Sequence, residues 1–406
     1  MVLNSFSKFV VVVTGASSGI GRATALAFAD QGSAVVVAAR RKEPLDELVE
    51  ECRQRGTTAI AVPTDVVDEE AVRQLARTAV DRLGRIDVWV NNAAVTLFAR
   101  IEDAPMDAFR RVIDTNLFGY LHGARAVLPI FREQGSGVLI NVGSVMSVLS
   151  QPYAAAYVLS KHAVRALSMA LRQELALDGG HGIDVCTVMP ATIDTPLFQH
   201  AGNFTGRAVR AMPPVHPPKQ VARTIVNLAR LPRREVYVGN AGRFQAYQAR
   251  LAPGLVESML ATLADRMHLD RLRPAPPSPG NLFTPMAEGT DTTGGWSGGL
   301  LTRLRRSAEI ATALGVGAAT ALPRAAAGAF ILALRGLTRW AWQPGDPVRP
   351  GVHGPSPSGY GAAQEARGSG PRRLCVSPAA EGRAARTAPR GGDHDHGTAV
   401  PDLEPG

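Results

Sequence analysis

Short runs of β-branched residues alternate with longer segments of helical periodicity between residues 9 and 238. The first run, Phe-Val-Val-Val-Val at residues 9–13, predicts a strand buried on both faces of a sheet. The next segment, residues 22–31, is rich in alanine and ends at Gly32, a pattern that predicts a helix. This alternation predicts an α/β fold of three layers, with a doubly wound parallel sheet of the Rossmann type between helices.

The same two periodicities predict the remaining elements. The predicted strands are residues 9–13, 34–39, 59–63, 86–90, 138–142, 183–189 and 235–238. The predicted helices are residues 22–31, 44–55, 68–83, 106–131, 154–177 and 221–231. Residues 190–218 form a long connection with many prolines and the apolar residues Leu197, Phe198, Phe204 and Met212. We expect this connection to be a lid over a substrate pocket.

The composition changes after residue 275. Residues 1–275 form the predicted α/β domain, 276–300 a linker rich in proline and glycine, and 343–406 a disordered tail with few large apolar residues. Between them, residues 301–342 are apolar with arginines and are predicted to be helical.

Within this segment, residues 310–334 are long enough to span a bilayer, but Arg324 lies near their centre. We therefore expect attachment to a membrane surface, while a spanning helix and a soluble packed helix remain as alternatives.

The net charge of +9 comes mainly from arginines after residue 300, without aromatic residues spaced for stacking on bases. Nucleic-acid binding is therefore not expected. The three cysteines, Cys52, Cys186 and Cys375, are far apart and do not have the spacing of metal ligands. We expect a cytoplasmic protein without a bound metal, either free or attached to the cytoplasmic face of a membrane.

A glycine-rich turn, Thr-Gly-Ala-Ser-Ser-Gly-Ile-Gly at residues 14–21, joins the first strand to the first helix. A helix N-terminus offers unpaired N–H groups and a partial positive charge, and glycines allow a phosphate to approach the backbone. The predicted phosphate-binding residues are Gly15, Ser17, Ser18, Gly19, Ile20 and Gly21. The alternative is a tight connection that binds nothing.

Arg40 and Arg41 end the second predicted strand, about 20 residues after the glycine turn, where a dinucleotide fold meets the adenosine ribose. An acidic residue there binds the 2′-hydroxyl of NAD, whereas arginine accommodates the 2′-phosphate of NADP. The two arginines therefore predict NADP rather than NAD. The alternative is that they only solvate the end of the strand.

Tyr157 and Lys161 are four residues apart and therefore share one face of a predicted helix. An ammonium group beside a phenol favours the phenolate, so we expect Lys161 to lower the pKa of Tyr157. Such a pair transfers a proton to or from a substrate oxygen, and Ser144 is placed to hydrogen-bond the same oxygen. Taken singly, each of these residues also fits a structural role.

These motifs together resemble the short-chain dehydrogenase/reductase family over roughly residues 5–245. The chain has the glycine motif at residues 14–21, Asn-Asn-Ala-Ala at 91–94, the helix asparagine Asn116, the serine Ser144 and the Tyr-x-x-x-Lys pair. Two glycines of the family pattern are replaced by alanine, at Ala94 and at Ala191 in the segment Pro-Ala-Thr-Ile-Asp-Thr.

The resemblance implies roles for these residues. Tyr157 is the expected acid/base, Lys161 its activator and a ligand of the nicotinamide ribose, Ser144 the group that orients the substrate carbonyl, and Asn116 the holder of a relay water. The remaining cofactor contacts implied are Asp65 and Val66 with the adenine, Asn92 and Ala93 with the sugar, and Pro190, Ile193 and Thr195 near the carboxamide.

These inferences predict an NADP-dependent oxidoreductase that interconverts an alcohol with a ketone or aldehyde on an apolar small-molecule substrate. The resemblance also implies a homodimer formed through the long helices that carry Asn116 and Tyr157. The alternative function is a catalytically silent NADP-binding protein that acts as a membrane-linked sensor or scaffold. The four intact residues Asn116, Ser144, Tyr157 and Lys161 argue against it.

Overall fold

A parallel sheet of seven strands forms the centre of the computed structural model, which describes residues 9–179 and 182–297. The strands in chain order are β1 (Val10–Thr14), β2 (Ala34–Ala39), β3 (Ala59–Pro63), β4 (Val88–Asn91), β5 (Leu97–Phe98), β6 (Gly137–Val142), β7 (Ile183–Pro190), β8 (Gly202–Asn203), β9 (Arg207–Val209), β10 (Glu235–Val238) and β11 (Leu269–Pro274). The sheet order is β3-β2-β1-β4-β6-β7-β10, which confirms the prediction of a doubly wound parallel sheet. The short strands β5, β8, β9 and β11 pair outside this sheet.

Helices cover both faces of the sheet. They are α1 (Gly19–Ala29), α2 (Lys42–Gln54), α3 (Glu69–Leu83), α4 (Met106–Ile113), α5 (Gly119–Gln134), α6 (Ala155–Leu177), α7 (Pro218–Arg230), α8 (Asn240–Leu251) and α9 (Pro253–Leu263). Apolar side chains of α1, α2 and α7 pack on one face, and those of α3, α5 and α6 pack on the other. The all-valine core of β1 serves both layers, because Val11 and Val13 point to the first face and Val12 to the second.

The long helix predicted over residues 106–131 is interrupted in the structure. A π-helical turn, Asp114–Phe118, joins α4 to α5 and carries Asn116. Helices α8 and α9 were not predicted. Pro253 and Gly254 are the first two residues of α9, and a proline at the first turn of a helix is indistinguishable by sequence from one that ends a helix.

The predicted lid over residues 190–218 is an ordered segment that contains β8, β9 and a short 3₁₀ turn, Pro196–Phe198. Residues 276–297 of the predicted linker lie against the α/β domain and cross the cleft described below. The predicted apolar segment 301–342 and the predicted tail 343–406 fall outside the described residues. Among residues 9–179 and 182–297, no helix is both long and apolar enough to cross a bilayer.

A buried polar network fixes α5 against the ends of β4 and β6. The Asn91 side chain accepts a hydrogen bond from Trp89 Nε1 at 2.8 Å and donates to Asn141 Oδ1 at 2.9 Å and to the Tyr120 carbonyl at 3.0 Å. Gly123 faces this network, and a Cβ there would lie 2.2 Å from Asn91 Oδ1. Helix α5 approaches β4 this closely only because residue 123 has no side chain.

We expect Gly123→Ala to lower the free energy of unfolding by about 1–3 kcal/mol, because the added methyl must displace a buried hydrogen-bonded amide. Gly254→Ala is the matched control, since a Cβ at that helical position would meet nothing within 4 Å. Urea denaturation of both variants checks the prediction. Equal stability of the two variants would contradict it.

Candidate active site

The glycine turn after β1 is packed directly against the end of β4. Gly15 has a φ of +65°, and a Cβ there would lie 2.6 Å from Ala93 Cα. A Cβ on Gly21 would lie 2.3 Å from the Gly15 carbonyl and 2.5 Å from Asn92 Nδ2. Contacts within the protein therefore require glycine at both positions, whether or not a phosphate binds.

Asn92 and Thr14 join the two strand ends. Asn92 Nδ2 donates to the carbonyls of Thr14 at 2.9 Å and Gly15 at 3.2 Å. The Thr14 hydroxyl in turn accepts from the backbone N–H of Asn92 at 3.0 Å and of Ala93 at 3.3 Å. Asn92 thus supports the turn itself, in addition to the cofactor contact implied for it.

One cavity of about 490 Å³ runs from the glycine turn to the end of β6. Most of the residues predicted from the sequence line it: Gly15, Ser17, Ser18, Gly19, Ile20, Arg40, Arg41, Asp65, Val66, Asn92, Ala93, Ser144, Tyr157, Lys161, Pro190, Ile193 and Thr195. Gly21 and Asn116 lie behind its wall. The N-terminus of α1, where the Gly19 N–H donates to the Asp291 carbonyl at 3.0 Å, lies at one end, and a tyrosine–lysine pair lies at the other. These groups fit a dinucleotide laid along the carboxyl ends of the strands.

Lys161 is buried beneath the cavity, with 1% of its surface exposed. Its Nζ donates to the Val142 carbonyl at 2.9 Å and to the Tyr120 hydroxyl at 3.3 Å, and it lies 5.6 Å from the centre of the Tyr157 ring. Burial lowers the pKa of Lys161 to about 7, because the charged ammonium loses its hydration. The amine therefore titrates near neutral pH.

The pKa of Tyr157 differs from the sequence-based expectation. Burial raises this pKa, and a hydrogen bond with Ser144 opposes the rise. The expected lowering by Lys161 was wrong for this arrangement, because desolvation of the buried ring sets the direction of the shift. Tyr157 is therefore a neutral phenol that holds its proton.

Ser144 follows β6 and is held by a local capping box. Its Oγ accepts from the Met146 N–H at 3.1 Å, and its own N–H donates to Ser147 Oγ at 3.2 Å. Both contacts lie within the one short turn that follows β6, so this turn fixes the orientation of Ser144 locally. The turn presents the hydroxyl to Tyr157.

Asn116 is fully buried in the π-helical turn. Its Oδ1 accepts from the Val95 N–H at 2.9 Å, and its Nδ2 donates to the Val95 carbonyl at 2.9 Å and to Ser160 Oγ at 3.0 Å. Both amide hydrogens are thus used by the protein. The side chain clamps the segment after β4 to α6, and a role in holding a relay water stays a prediction.

Arg40 and Arg41 lie at the end of β2 as predicted, but the protein already uses their guanidinium groups. Arg40 donates to the carbonyls of residues 281–283, and Arg41 donates to those of Met286 and Glu288. Asp65 forms an ion pair of 2.5 Å with Arg111. Each of these side chains therefore has a protein partner at the predicted adenosine end of the cavity.

The far end of the cavity is lined by large apolar side chains. They are Phe98, Met146, Leu197, Phe198, Met212, Phe244, Met259, Leu263 and Met267. Leu197, Phe198 and Met212 come from the predicted lid, whereas Phe204 does not line the cavity and packs on the apolar cluster that contains Leu97 and Leu282.

His268 also lines this end of the cavity. It donates from Nδ1 to the Arg210 carbonyl at 2.7 Å, and burial lowers its pKa to about 4. The ring is therefore neutral at physiological pH.

Sequence reasoning missed several residues that shape the site. Tyr120 anchors Lys161 and lies four residues after Asn116 on one helical path, a spacing that offered a signal. Asp194, the acidic residue of the Pro-Ala-Thr-Ile-Asp-Thr segment, accepts hydrogen bonds from Gly294, Trp296 and Ser297. No sequence pattern predicted the contacts of Asp194 with residues 294–297.

Comparison with known proteins gives one consistent result. The family model described as short chain dehydrogenase matches residues 9–205. Uncharacterized oxidoreductase YxnA of Bacillus subtilis (strain 168) is 37% identical over 262 residues, which cover 64% of this chain and 73% of that protein.

Two solved structures are similar in sequence and in fold. The short chain dehydrogenase/reductase from Burkholderia phymatum in complex with NAD has a TM-score of 0.58 and 26% identity, over 63% of this chain and 97% of that chain. An alcohol dehydrogenase from the archaeon Thermococcus sibiricus, complexed with 5-hydroxy-NADP, has a TM-score of 0.50 and 28% identity, over 57% of this chain and 95% of that chain.

The burial of Lys161 makes a prediction about stability. Its pKa falls from 10.5 in water to about 7 in the fold, so its charge destabilises the native state fully below pH 7. That penalty, on the order of a few kcal/mol, declines as the pH rises from 7 to 10.5. We therefore expect Lys161→Met to melt at a higher temperature than the wild type at pH 6, with the difference shrinking towards pH 10.

Thermal denaturation followed by circular dichroism across this pH range measures the effect. Lys219→Met is the control, because Lys219 is exposed near the start of α7 and its charge stays in water. A Lys161→Met variant less stable than the wild type at pH 6 would contradict the prediction.

Proposed function

The chain belongs to the short-chain dehydrogenase family, and we propose that it is an NADP-dependent oxidoreductase that interconverts an alcohol with a ketone or aldehyde on an apolar substrate. The observation that carries this proposal is the meeting of Ser144, Tyr157 and Lys161 at one end of a cavity whose other end is the glycine turn. Two elements supply these groups: Ser144 comes from the turn after β6, and Tyr157 and Lys161 come from successive turns of α6.

Tyr157 is the proposed proton donor and acceptor. Its raised pKa keeps the phenol neutral, so that a proton is available for the oxygen of a bound carbonyl compound. Ser144 hydrogen-bonds the Tyr157 hydroxyl, and the turn after β6 holds Ser144 in place. Ser144 is therefore suited to position the substrate oxygen beside Tyr157. In the reverse direction Tyr157 first gives its proton to the neutral Lys161 amine, and the resulting phenolate accepts the alcohol proton.

Lys161 is the proposed source of the proton that restores Tyr157. The amine is fixed by Val142 and Tyr120 and titrates near neutral pH, so it exchanges a proton at low cost. A nicotinamide cofactor, when bound, supplies or accepts the hydride. Residues of the glycine turn and Asn92 are the proposed holders of that cofactor.

NADP is the proposed cofactor because of Arg40 and Arg41 at the end of β2. Guanidinium groups bind phosphate through several charge-assisted hydrogen bonds, and the acidic residue that would select the ribose of NAD is absent from these two positions. Among the similar structures one holds NAD and another an NADP derivative, so the choice rests on these side chains.

The substrate is proposed to be apolar. Beyond Ser144 and Tyr157 the cavity is bounded mainly by methionine, leucine and phenylalanine side chains, which favour a hydrocarbon body. Methionines adapt to ligand shape, which suits substrates of varied outline.

We also propose a homodimer through the helices that carry Asn116 and Tyr157. Large apolar side chains are exposed on these helices, with 45% of Phe118, 54% of Leu159 and 40% of Met169 accessible. A second copy of the chain packed on these helices would remove that apolar surface from water.

Tyr157→Phe tests the mechanism. The variant keeps the ring and loses the hydroxyl, so we expect turnover to fall by about two orders of magnitude or more while NADPH still binds. Turnover is measured by NADPH absorbance with a screen of carbonyl compounds, and binding by NADPH fluorescence. Tyr247→Phe, on the exposed face of α8, is the control. Turnover within about threefold of the wild type would remove Tyr157 from the mechanism.

Arg40→Asp tests the cofactor. We expect the affinity for NADPH to fall about ten- to a hundredfold, the effect of losing one or two charge-assisted hydrogen bonds, while NADH binding is kept or improved. Direct titration with each cofactor measures this. The same change at Arg53, exposed on α2, is the control for altered net charge. A wild type that already prefers NADH would show that the two arginines do not select NADP.

A further inference from the structure

Residues 278–297, which we name the strap, cross the cavity at the end where the adenosine half of the cofactor is expected. The strap begins at a two-way backbone pairing of Ser278 with Asn203, at 2.7 and 2.9 Å. It then passes over the ends of β2 and α1. Asn281, Pro285 and Met286 of the strap form part of the cavity wall.

The middle of the strap binds the two arginines that end β2. Arg40 Nη2 donates to the Asn281 carbonyl at 2.6 Å, and Arg40 Nη1 donates to the Phe283 carbonyl at 3.0 Å. Arg41 Nη1 donates to the Met286 carbonyl at 2.6 Å. Both terminal nitrogens of Arg40 and Nη1 of Arg41, which a phosphate would use, are therefore turned towards neutral carbonyl groups, whereas Arg41 Nη2 donates to Ser17 Oγ at 3.2 Å.

Leu282 fastens this middle part. Its side chain is fully buried in an apolar cluster with Val95, Leu97 and Val112. Its carbonyl also accepts from Arg111 Nε at 3.0 Å. The buried Leu282 side chain therefore anchors the middle of the strap and fixes the positions of the neighbouring backbone carbonyl groups.

The far end of the strap is fastened separately at Asp194. This buried carboxylate accepts from the N–H groups of Gly294 at 3.0 Å, Trp296 at 2.7 Å and Ser297 at 3.0 Å, and from the Ser297 hydroxyl. Trp296 Nε1 donates to the Thr195 carbonyl at 3.1 Å. Nearer the middle of the strap, the Asp291 carbonyl accepts from the Gly19 N–H of α1 at 3.0 Å. Residues 291–297 are therefore held by contacts separate from those that residues 281–288 form with the arginines.

We propose that the strap competes with the 2′-phosphate of NADP for Arg40 and Arg41, so that binding of a 2′-phosphorylated nucleotide releases residues 281–288 and binding of NAD does not. The proposal rests on the proposed choice of NADP. A phosphate dianion forms stronger hydrogen bonds with guanidinium than a neutral carbonyl does, so the exchange favours the nucleotide. The apparent affinity is then the intrinsic affinity multiplied by the fraction of molecules in which the strap is open.

The test compares 2′,5′-ADP with 5′-AMP, which differ by the 2′-phosphate, in isothermal titration of the full chain. Leu282→Ala removes the buried side chain that anchors the middle of the strap. We expect it to bind 2′,5′-ADP about tenfold more tightly than the wild type, the gain from a site that is no longer closed, with little change for 5′-AMP. Phe283→Ala is the matched control, because this neighbouring side chain is 45% exposed and its carbonyl contact is retained.

Limited digestion of the wild type with chymotrypsin gives a second measurement that needs no variant. Cleavage after Phe283 requires the strap to leave the domain, so we expect 2′,5′-ADP to speed this cut and 5′-AMP to leave it unchanged. Phe283→Ala identifies the fragment, since it lacks the site.

Three outcomes decide the matter. If the wild type prefers 2′,5′-ADP but Leu282→Ala binds it equally well or more weakly, and digestion is unaffected, the strap does not compete and only this inference fails. If neither protein distinguishes 2′,5′-ADP from 5′-AMP, the proposed NADP selection fails and the strap inference falls with it. Tighter binding by Leu282→Ala together with faster cleavage establishes the competition.

Discussion

The rest of the site depends on the close contact between the turn after β1 and the end of β4, which is possible because two residues of the turn are glycines. Gly15 and Gly21 leave room for Asn92, whose amide holds both carbonyls of the turn. At this point the sheet order changes direction, and two neighbouring strand ends diverge to open a cleft. If either glycine carried a Cβ, the N-terminus of α1 would move away from the strand ends, and the cavity would lose its phosphate end.

The other end of the cavity depends on a buried amine. Lys161 is stabilised by a carbonyl of β6 and a tyrosine hydroxyl from α5, so two elements of the sheet layer and the helix layer fix its position. Dehydration of this amine lowers the stability of the folded state, and the same dehydration brings the pKa of Lys161 near neutrality. The property that makes Lys161 unfavourable for stability is therefore the one that suits it to proton exchange.

The sequence predicted most of what depends on local periodicity. Each strand of the main sheet was anticipated to within a few residues, because buried parallel strands are continuous β-branched runs. The positions of Ser144, Tyr157 and Lys161 followed from their order relative to those strands. The direction in which the pKa of Tyr157 shifts did not follow from the sequence, because it depends on how deeply the ring is buried. Burial is a property of the packed fold rather than of the spacing between two residues.

The strap shows a second limit of sequence patterns. Its composition of proline, glycine and serine is that of a linker, since it has neither a strand nor a helix periodicity. It is ordered by contacts made through backbone carbonyls and N–H groups, which every residue possesses and which leave no signature in side-chain type. Of its four large apolar residues, Leu282, Phe283, Met286 and Trp296, Leu282 is the fully buried one, and it marks where the strap inserts. Arginines that the sequence predicts to be phosphate ligands bind carbonyl groups of their own chain, and the selectivity proposed for the site is the difference between these two partners.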